Sequence, residues 1–167
     1  QGTYTWKGGA VYTGEWKNDL KNGKGTMVWE DKSKYEGEWK DGMRHGKGTF
    51  YYTNGDKYVG DWKEDVQDGK GIYYFQNGER YEGDYANGER TGRGIYTYPN
   101  GDKYVGQFLN GWQEGLGTFT WANGAVYDGQ WVKNQRSGFG KYKWANGDEY
   151  EGQWKNNMAE GEGTLRM

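Results

Sequence analysis

Cysteine is absent from the 167 residues, which excludes disulfide frameworks and thiolate metal sites and is compatible with a reducing compartment. Proline occurs once, as Pro99, and histidine once, as His45. No apolar run approaches the roughly 18 residues of a membrane span, and no signal-peptide core is visible. The formal net charge of -2 removes the simplest argument for nucleic acid, which needs a basic face to release counterions. Serine is confined to Ser33 and Ser137, so with one histidine no nucleophile–base pair emerges. The sequence therefore points away from an enzyme, and no cofactor, metal or small-molecule substrate is expected.

Glycine and large rings are what the chain has in place of aliphatic residues: 32 Gly, and 19% aromatic against 32% hydrophobic in total. Low aliphatic content signals disorder only with high net charge and few aromatics, and neither holds. Repetition gives the organisation. Aromatic-x-Gly-x-aromatic recurs as "YTGEW" at Tyr12, then at Tyr35, Tyr58, Tyr81, Tyr104, Tyr127 and finally as "YEGQW" at Tyr150, each 23 residues after the last. Gly-x-Gly keeps the same period from Gly23 to Gly161. Seven units without an insertion require every unit to meet its neighbours in the same way, as in a stacked array.

Within a unit the period is that of strands. In "YEGEW" Tyr35, Gly37 and Trp39 share one face and Glu36 and Glu38 the other; in "GKGTFYY" Gly46, Gly48, Phe50 and Tyr52 share a face. A polar loop such as "KDGMRH", including His45, is expected between the strands of a unit. Between units, turns are expected at Asn54, Asn77, Asn100, Asn123 and Asn146, each followed by Gly, because both residues tolerate positive φ. Gly8-Gly9 and the divergent Asp31-Lys32 take that place in the first two turns. The fold class is all-β: a single elongated, twisted antiparallel meander of about fifteen short strands, spanning some 70 Å at roughly 4.8 Å per strand. Rings lying across glycines of the neighbouring strand compensate for glycine's poor strand propensity, so an alanine at Gly37 is expected to push a ring away.

The segment "YEGEWKDGMRHGKG" resembles the MORN (membrane occupation and recognition nexus) repeat, and the resemblance covers essentially the whole chain. It implies a β-hairpin array serving as a cytoplasmic scaffold or attachment module, peripheral to membrane or cytoskeleton, with protein partners or self-association and, in some members, phospholipid headgroups. One repeat domain over residues 1–167 follows, opening and closing partway through a repeat as a fragment of a longer protein does. Tyr85 and Phe108 stand where the repeat usually has Trp, which marks repeats 4 and 5 for specialisation.

Surface columns carry the remaining information. The residue inside Gly-x-Gly is Lys24, Lys47, Lys70 and Arg93, then Leu116, Phe139 and Glu162. The residue before the second aromatic runs Glu15, Glu38, Asp61 and Asp84, then Gln107, Gln130 and Gln153. Acid and base are expected to neutralise each other across the strand pair of a hairpin. A second basic column, Lys34, Lys57, Arg80 and Lys103, precedes the motif tyrosine. Together the two basic columns are the candidate site for anionic phospholipid. Leu109, Leu116, Val132 and Phe139 on the outer face, with Trp112 in the loop of repeat 5, form the candidate interface for a protein partner or a homodimer. "GKGT" at Gly46 lacks the four-residue spacer of a phosphate loop.

Overall fold

The computed structural model describes residues 1–167 and contains strands and turns only. After β1 (Gly2–Thr5) come seven successions of a seven-residue strand and a nine-residue strand. They are β2 (Val11–Lys17) and β3 (Leu20–Val28), β4 (Lys34–Lys40) and β5 (Met43–Tyr51), β6 (Lys57–Lys63) and β7 (Val66–Tyr74), and β8 (Arg80–Ala86) and β9 (Glu89–Thr97). β10 (Lys103–Leu109), β11 (Trp112–Thr120), β12 (Val126–Val132), β13 (Gln135–Lys143), β14 (Glu149–Lys155) and β15 (Met158–Arg166) complete them. All fifteen follow one another in chain order in one antiparallel sheet. Contacts divide the chain into two compact units, residues Gln1–Gly78 with Tyr85–Gly88, and Glu79–Asp84 with Glu89–Met167.

The turns differ from expectation in an instructive way. The stretch "KDGMRH" is no loop: Lys40 and Met43 already pair, and only Asp41 (φ 49°) and Gly42 (φ 85°) form the turn. Consecutive positive φ values are the mark of the two-residue hairpin turn whose twist suits right-handed strands. Asn, Asp, Glu or Lys fills the first place in each such turn, from Asn18 to Asn156. His45 consequently lies in β5, not in a loop. At the Asn-Gly sites only glycine adopts positive φ, as at Gly55 (φ 96°). Asn54 acts instead through its side chain, whose Oδ1 accepts the Asp56 N–H at 2.9 Å; Asn100, Asn123 and Asn146 do the same two residues on. At the divergent turn Asp31 takes that role toward Ser33, and Lys32 (φ 76°) stands in the glycine place.

Each nine-residue strand is longer than its partner because it bulges. Gly37 pairs with Gly48 and Trp39 with Arg44, so His45, Gly46 and Lys47 oppose Glu38 alone. Gly46 carries the bend (φ 74°), and a Cβ there would press on the Glu38 carboxyl group at 3.1 Å. On its other edge β5 pairs with β6 without a break, from Gly46↔Trp62 to Tyr51↔Lys57. One sheet edge of each long strand is thus regular and the other is puckered.

The pucker makes room for the core. Tyr35 is fully buried, and its ring covers Gly48: a Cβ on Gly48 would lie 2.0 Å from the Tyr35 hydroxyl oxygen and 2.3 to 2.4 Å from ring carbons. At Gly37 the obstruction is chiefly backbone, since a Cβ would meet Gly48 Cα at 2.4 Å and the Lys47 carbonyl at 2.6 Å. The expected ring-over-glycine packing therefore falls on the second glycine of Gly-x-Gly, and the motif glycine is required by strand-to-strand approach. The Tyr35 hydroxyl donates to the Glu38 carbonyl at 2.9 Å, and the equivalent bond recurs from Tyr12 to Tyr150. Trp39 Nε1 donates to the Gly25 carbonyl of the preceding repeat at 3.0 Å.

In the first unit the rings interlock edge to face, with Tyr12–Trp39 at 5.5 Å, Tyr35–Trp39 at 5.0 Å and Tyr35–Trp62 at 5.3 Å. In the second unit Tyr104–Phe108, Tyr104–Trp131, Tyr127–Trp131 and Tyr127–Trp154 repeat the pattern at 5.2 to 5.4 Å. Phe108 keeps the ring contact but has no N–H to donate, whereas Trp131 and Trp154 reach the carbonyls of Gly117 and Gly140.

Two outcomes follow from this packing. Gly60→Val places a side chain against the Lys70 carbonyl, Gly71 Cα and the Tyr58 hydroxyl, all within 2.8 Å of the new Cβ. It should cost about 1 to 3 kcal/mol or more, whereas Lys63→Ala on the exposed face should stay within about 0.5 kcal/mol. Equal shifts in urea midpoint would refute the close-approach account. The second outcome concerns alkali. Burial pushes the Tyr127 hydroxyl up to about 12, and raises Tyr35, Tyr58 and Tyr104 in the same direction. The unfolded chain loses these protons near its ordinary tyrosine value of 10.0, so the stabilisation is complete below pH 10 and is lost as pH rises toward 12. Urea midpoints measured from pH 8 to 11 should fall only above about pH 10, and less steeply for Tyr127→Phe; a midpoint flat to pH 11 would contradict the assignment.

Candidate functional site

The acidic column has a local task that charge alone does not reveal. Glu38 Oε2 accepts the Lys47 backbone N–H at 2.9 Å, inside the bulge of its own hairpin; Glu15 does so for Lys24 at 2.7 Å and Asp61 for Lys70 at 3.0 Å. Gln107 and Gln130 accept the Leu116 and Phe139 N–H groups through their amide oxygens. The change from carboxylate to amide therefore removes charge and keeps the acceptor. Charge pairing occurs in a different place from the one expected: the base of one repeat stands opposite the acid of the next, as in Lys24↔Glu38 and Lys47↔Asp61, and the Lys47 ammonium bonds the Asp61 carboxylate.

The other basic column lies on the same outer face. Lys34 sits over the Tyr51 ring at 4.6 Å and pairs with Glu36 at 3.3 Å; Lys57 sits over Tyr74 at 4.8 Å, and Arg80 pairs with Glu82 at 3.0 Å. Lys103 stands opposite Thr97 and Thr120, and Arg93 opposite Gln107. Lys70 lies in the bulge of β7, its N–H held by Asp61.

The five apolar candidates are all exposed, from 44% at Trp112 to 61% at Leu116. Leu109 pairs with Trp112 beside the hairpin turn, so Trp112 opens β11 and is not in a loop. Leu116 lies opposite Gln130 and Phe139 opposite Gln153, while Val132 ends β12. All five alternate with buried neighbours such as Phe108, Gln113 and Trp131, which puts them on the face away from the rings.

The ring-bearing face carries a column that the sequence reading passed over: Lys21, Arg44, Gln67, Arg90, Gln113 and Arg136. Its 23-residue period was available, but reading "KDGMRH" as a loop hid it. In the first unit the Arg44 guanidinium lies 4.8 Å from the Trp62 ring and 5.4 Å from Phe50. Its Nε meets Asp65 Oδ1 at 3.1 Å and its Nη2 donates to the Asp65 carbonyl at 2.9 Å. In the second unit Arg136 lies over Trp154 at 4.9 Å and reaches Asn157 by Nε at 3.4 Å and Nη2 at 2.8 Å. Arg90 lies over Tyr96 at 5.6 Å and donates from Nη2 to the Gly111 carbonyl at 2.7 Å, but Gly111 has no side chain, and Arg90 Nε is buried without a partner. Arg90, Tyr96, Gly111, Phe119, Trp121 and Arg136 are among the residues lining a groove of about 340 Å³ in this unit.

The acceptor role of the acidic column gives a direct test. Glu38→Gln should leave the urea midpoint near wild type, and Glu38→Ala should lower stability by about 0.5 to 1.5 kcal/mol. Equal losses for the two variants would instead assign the column to charge.

No curated protein matches the chain. Among solved structures, the SAS-4 TCP domain of Drosophila melanogaster in complex with a proline-rich motif of Ana2 is similar over 89% of this chain and 88% of that one, with 15% identity and a TM-score of 0.48. The G-box domain of the microcephaly protein CPAP is similar over 99% and 97%, with 9% identity and a TM-score of 0.45. The TCP10 domain of Danio rerio CPAP is similar over 99% and 97%, with 12% identity and a TM-score of 0.28. Scores of this size say nothing about partners or site residues. The MORN repeat model, by contrast, matches residues 12–34, 35–57, 58–80, 81–103, 104–126, 127–149 and 150–166 without a gap, so that the chain, in which each match begins on a buried or half-buried motif tyrosine, belongs to the MORN repeat family.

Proposed function

We propose that this chain is a non-enzymatic scaffold that holds protein through the outer face of repeats 5 and 6, either a partner or a second copy of itself. The observation that carries the reading is the exposure of Leu109, Trp112, Leu116, Val132 and Phe139 on one face of the second unit. At the columns of Leu116 and Phe139 the first three repeats carry Lys24, Lys47 and Lys70, and at those of Leu109 and Val132 they carry Lys17, Lys40 and Lys63. Grouped apolar side chains, four of them at columns that carry lysine in repeats 1 to 3, have the composition of an interface centre, with Gln107, Gln130 and Glu114 supplying the polar surround. The replacement of acid by Gln beside them supports the same reading, because it removes charges that an apolar contact would have to desolvate.

The anionic-phospholipid reading rests on the basic columns of repeats 1 to 4. Membrane attraction of about 1 kcal/mol per basic residue needs several to act together. The carboxylates already set against Lys34, Lys47 and Arg80 oppose that, so the protein interface ranks first.

Leu116→Lys with Phe139→Lys returns the residue type of repeats 1 to 3 to two exposed positions, so the fold should tolerate the change. The wild-type chain should either rise in light-scattering mass across a concentration series or retain a partner in a pull-down, and the double variant should lose that association with circular dichroism unchanged. A wild-type chain that is monomeric throughout, and whose cross-linked partners are unaffected by the double variant, would overturn the proposal.

A further inference from the structure

The ring-bearing face of the second unit offers a separate site, sharing with the scaffold reading only the premise that the chain binds protein. Its logic is set by comparison within the molecule. Over Arg44 the hairpin turn of the next repeat presents Asp65, whose Oδ1 accepts both from Nε at 3.1 Å and from the Arg44 backbone N–H at 2.8 Å. Over Arg136 the turn presents Asn157, which fills the same place with a neutral oxygen. Over Arg90 the turn presents Gly111, and the place is vacant of side chain: Nε is desolvated with no acceptor, although a buried charged donor normally finds one. A Cβ on Gly111 would touch only Arg90 Nη2, at 3.8 Å, so the space is open toward the groove that Gly111 and Arg90 line.

We infer that this groove binds an extended acidic peptide, one carboxylate of which occupies beside Gly111 the position that Asp65 occupies over Arg44. Charge complementarity selects the ligand. Arg136, four strands further on, is met by the amide oxygen and the backbone carbonyl of Asn157, both of them neutral acceptors. The rings between, Phe119 and Trp121 among them, offer an apolar floor. Four strand spacings are about 19 Å and an extended chain advances about 3.3 Å per residue, so a second carboxylate about six residues from the first reaches Arg136. The Glu79 carboxylate near this face is already bonded by the Tyr96 hydroxyl. Between the two guanidinium groups the column holds neutral Gln113, whose backbone N–H is taken by Asn134.

The test uses a fluorescein-labelled peptide, GELPAPLEG, and its counterpart GQLPAPLQG, in anisotropy titrations against the whole chain. The acidic peptide should bind about tenfold or more tightly than the amide peptide, as expected for a charge-assisted contact. Gly111→Asp is the decisive variant. The turn position tolerates it, as Asp65 (φ 73°) and Asn157 (φ 70°) do at their equivalents of Gly111 (φ 84°). It should satisfy Arg90 internally, hold or raise the melting temperature and abolish binding of the acidic peptide. Gly111→Ala should keep it, and Arg90→Gln should lose it. Equal binding of the two peptides, no binding of either by wild type, or undiminished binding in Gly111→Asp would each overturn the inference. Arg90-dependent sedimentation with phosphatidylserine vesicles without peptide binding would assign the site to a membrane surface instead. The same titration on the Leu116→Lys, Phe139→Lys protein should be unchanged, so failure here and failure of the outer-face interface are separately visible.

Discussion

Within each hairpin, two glycine Cα atoms face each other so closely that neither strand can carry a side chain at that level. Gly37 and Gly48, Gly60 and Gly71, and Gly106 and Gly117 are such pairs, and a Cβ on the first of each would lie within 2.5 Å of the Cα of the second. The rest of the structure is arranged around that approach. The motif tyrosine fills the space over the second glycine and caps a carbonyl three residues along its own strand. The tryptophan four residues after it reaches back to the preceding repeat through its indole N–H. The two extra residues of the long strand bulge away beneath the acidic or amide side chain that caps them. The motif tyrosines and the tryptophans four residues after them are thus fixed by backbone hydrogen bonds as well as by edge-to-face contact, which is how a chain with few aliphatic residues maintains a core on one face of a sheet.

Much of this was legible because the side-chain period of a strand and the 23-residue period of the chain are both simple counts. The faces of "YEGEW", the glycine slots and the seven repeats needed no tertiary information. The turns were misjudged because Asn-Gly is compatible with more than one geometry. Its asparagine serves here as a side-chain acceptor, while the tight turn uses pairs such as Asp41-Gly42 and Lys133-Asn134. That misjudgement propagated. Reading Arg44 and His45 as loop residues concealed the column of Arg90 and Arg136, because a residue without an assigned strand has no assigned face. The acidic column was misread for a different reason: a carboxylate that caps a bulge N–H is indistinguishable in sequence from one that pairs with a lysine. Only the appearance of Gln at the same place in repeats 5 to 7 hinted that the oxygen mattered more than the charge.

A repeat whose fold depends on a few columns leaves the others free to change together. Glycine, the motif tyrosine and the second aromatic carry the packing, and the bulge needs an oxygen acceptor but not a negative one. In the first unit the acceptors are acids, their lysine neighbours match them across the strand, and Arg44 is answered by Asp65. In the second unit Gln107 and Gln130 retain the acceptor without the charge, and lysine then gives way to Leu116 and Phe139 without stranding a buried acid. On the opposite face the answering carboxylate is likewise gone, replaced by Asn157 over Arg136 and by no side chain over Arg90. At Leu116, Phe139, Arg90 and Arg136 the second unit thus lacks the charge partner that Lys47 and Arg44 have in the first, at columns that the packing does not use. The columns that packing leaves free are thus the ones at which a repeat array can change its surface without changing its fold.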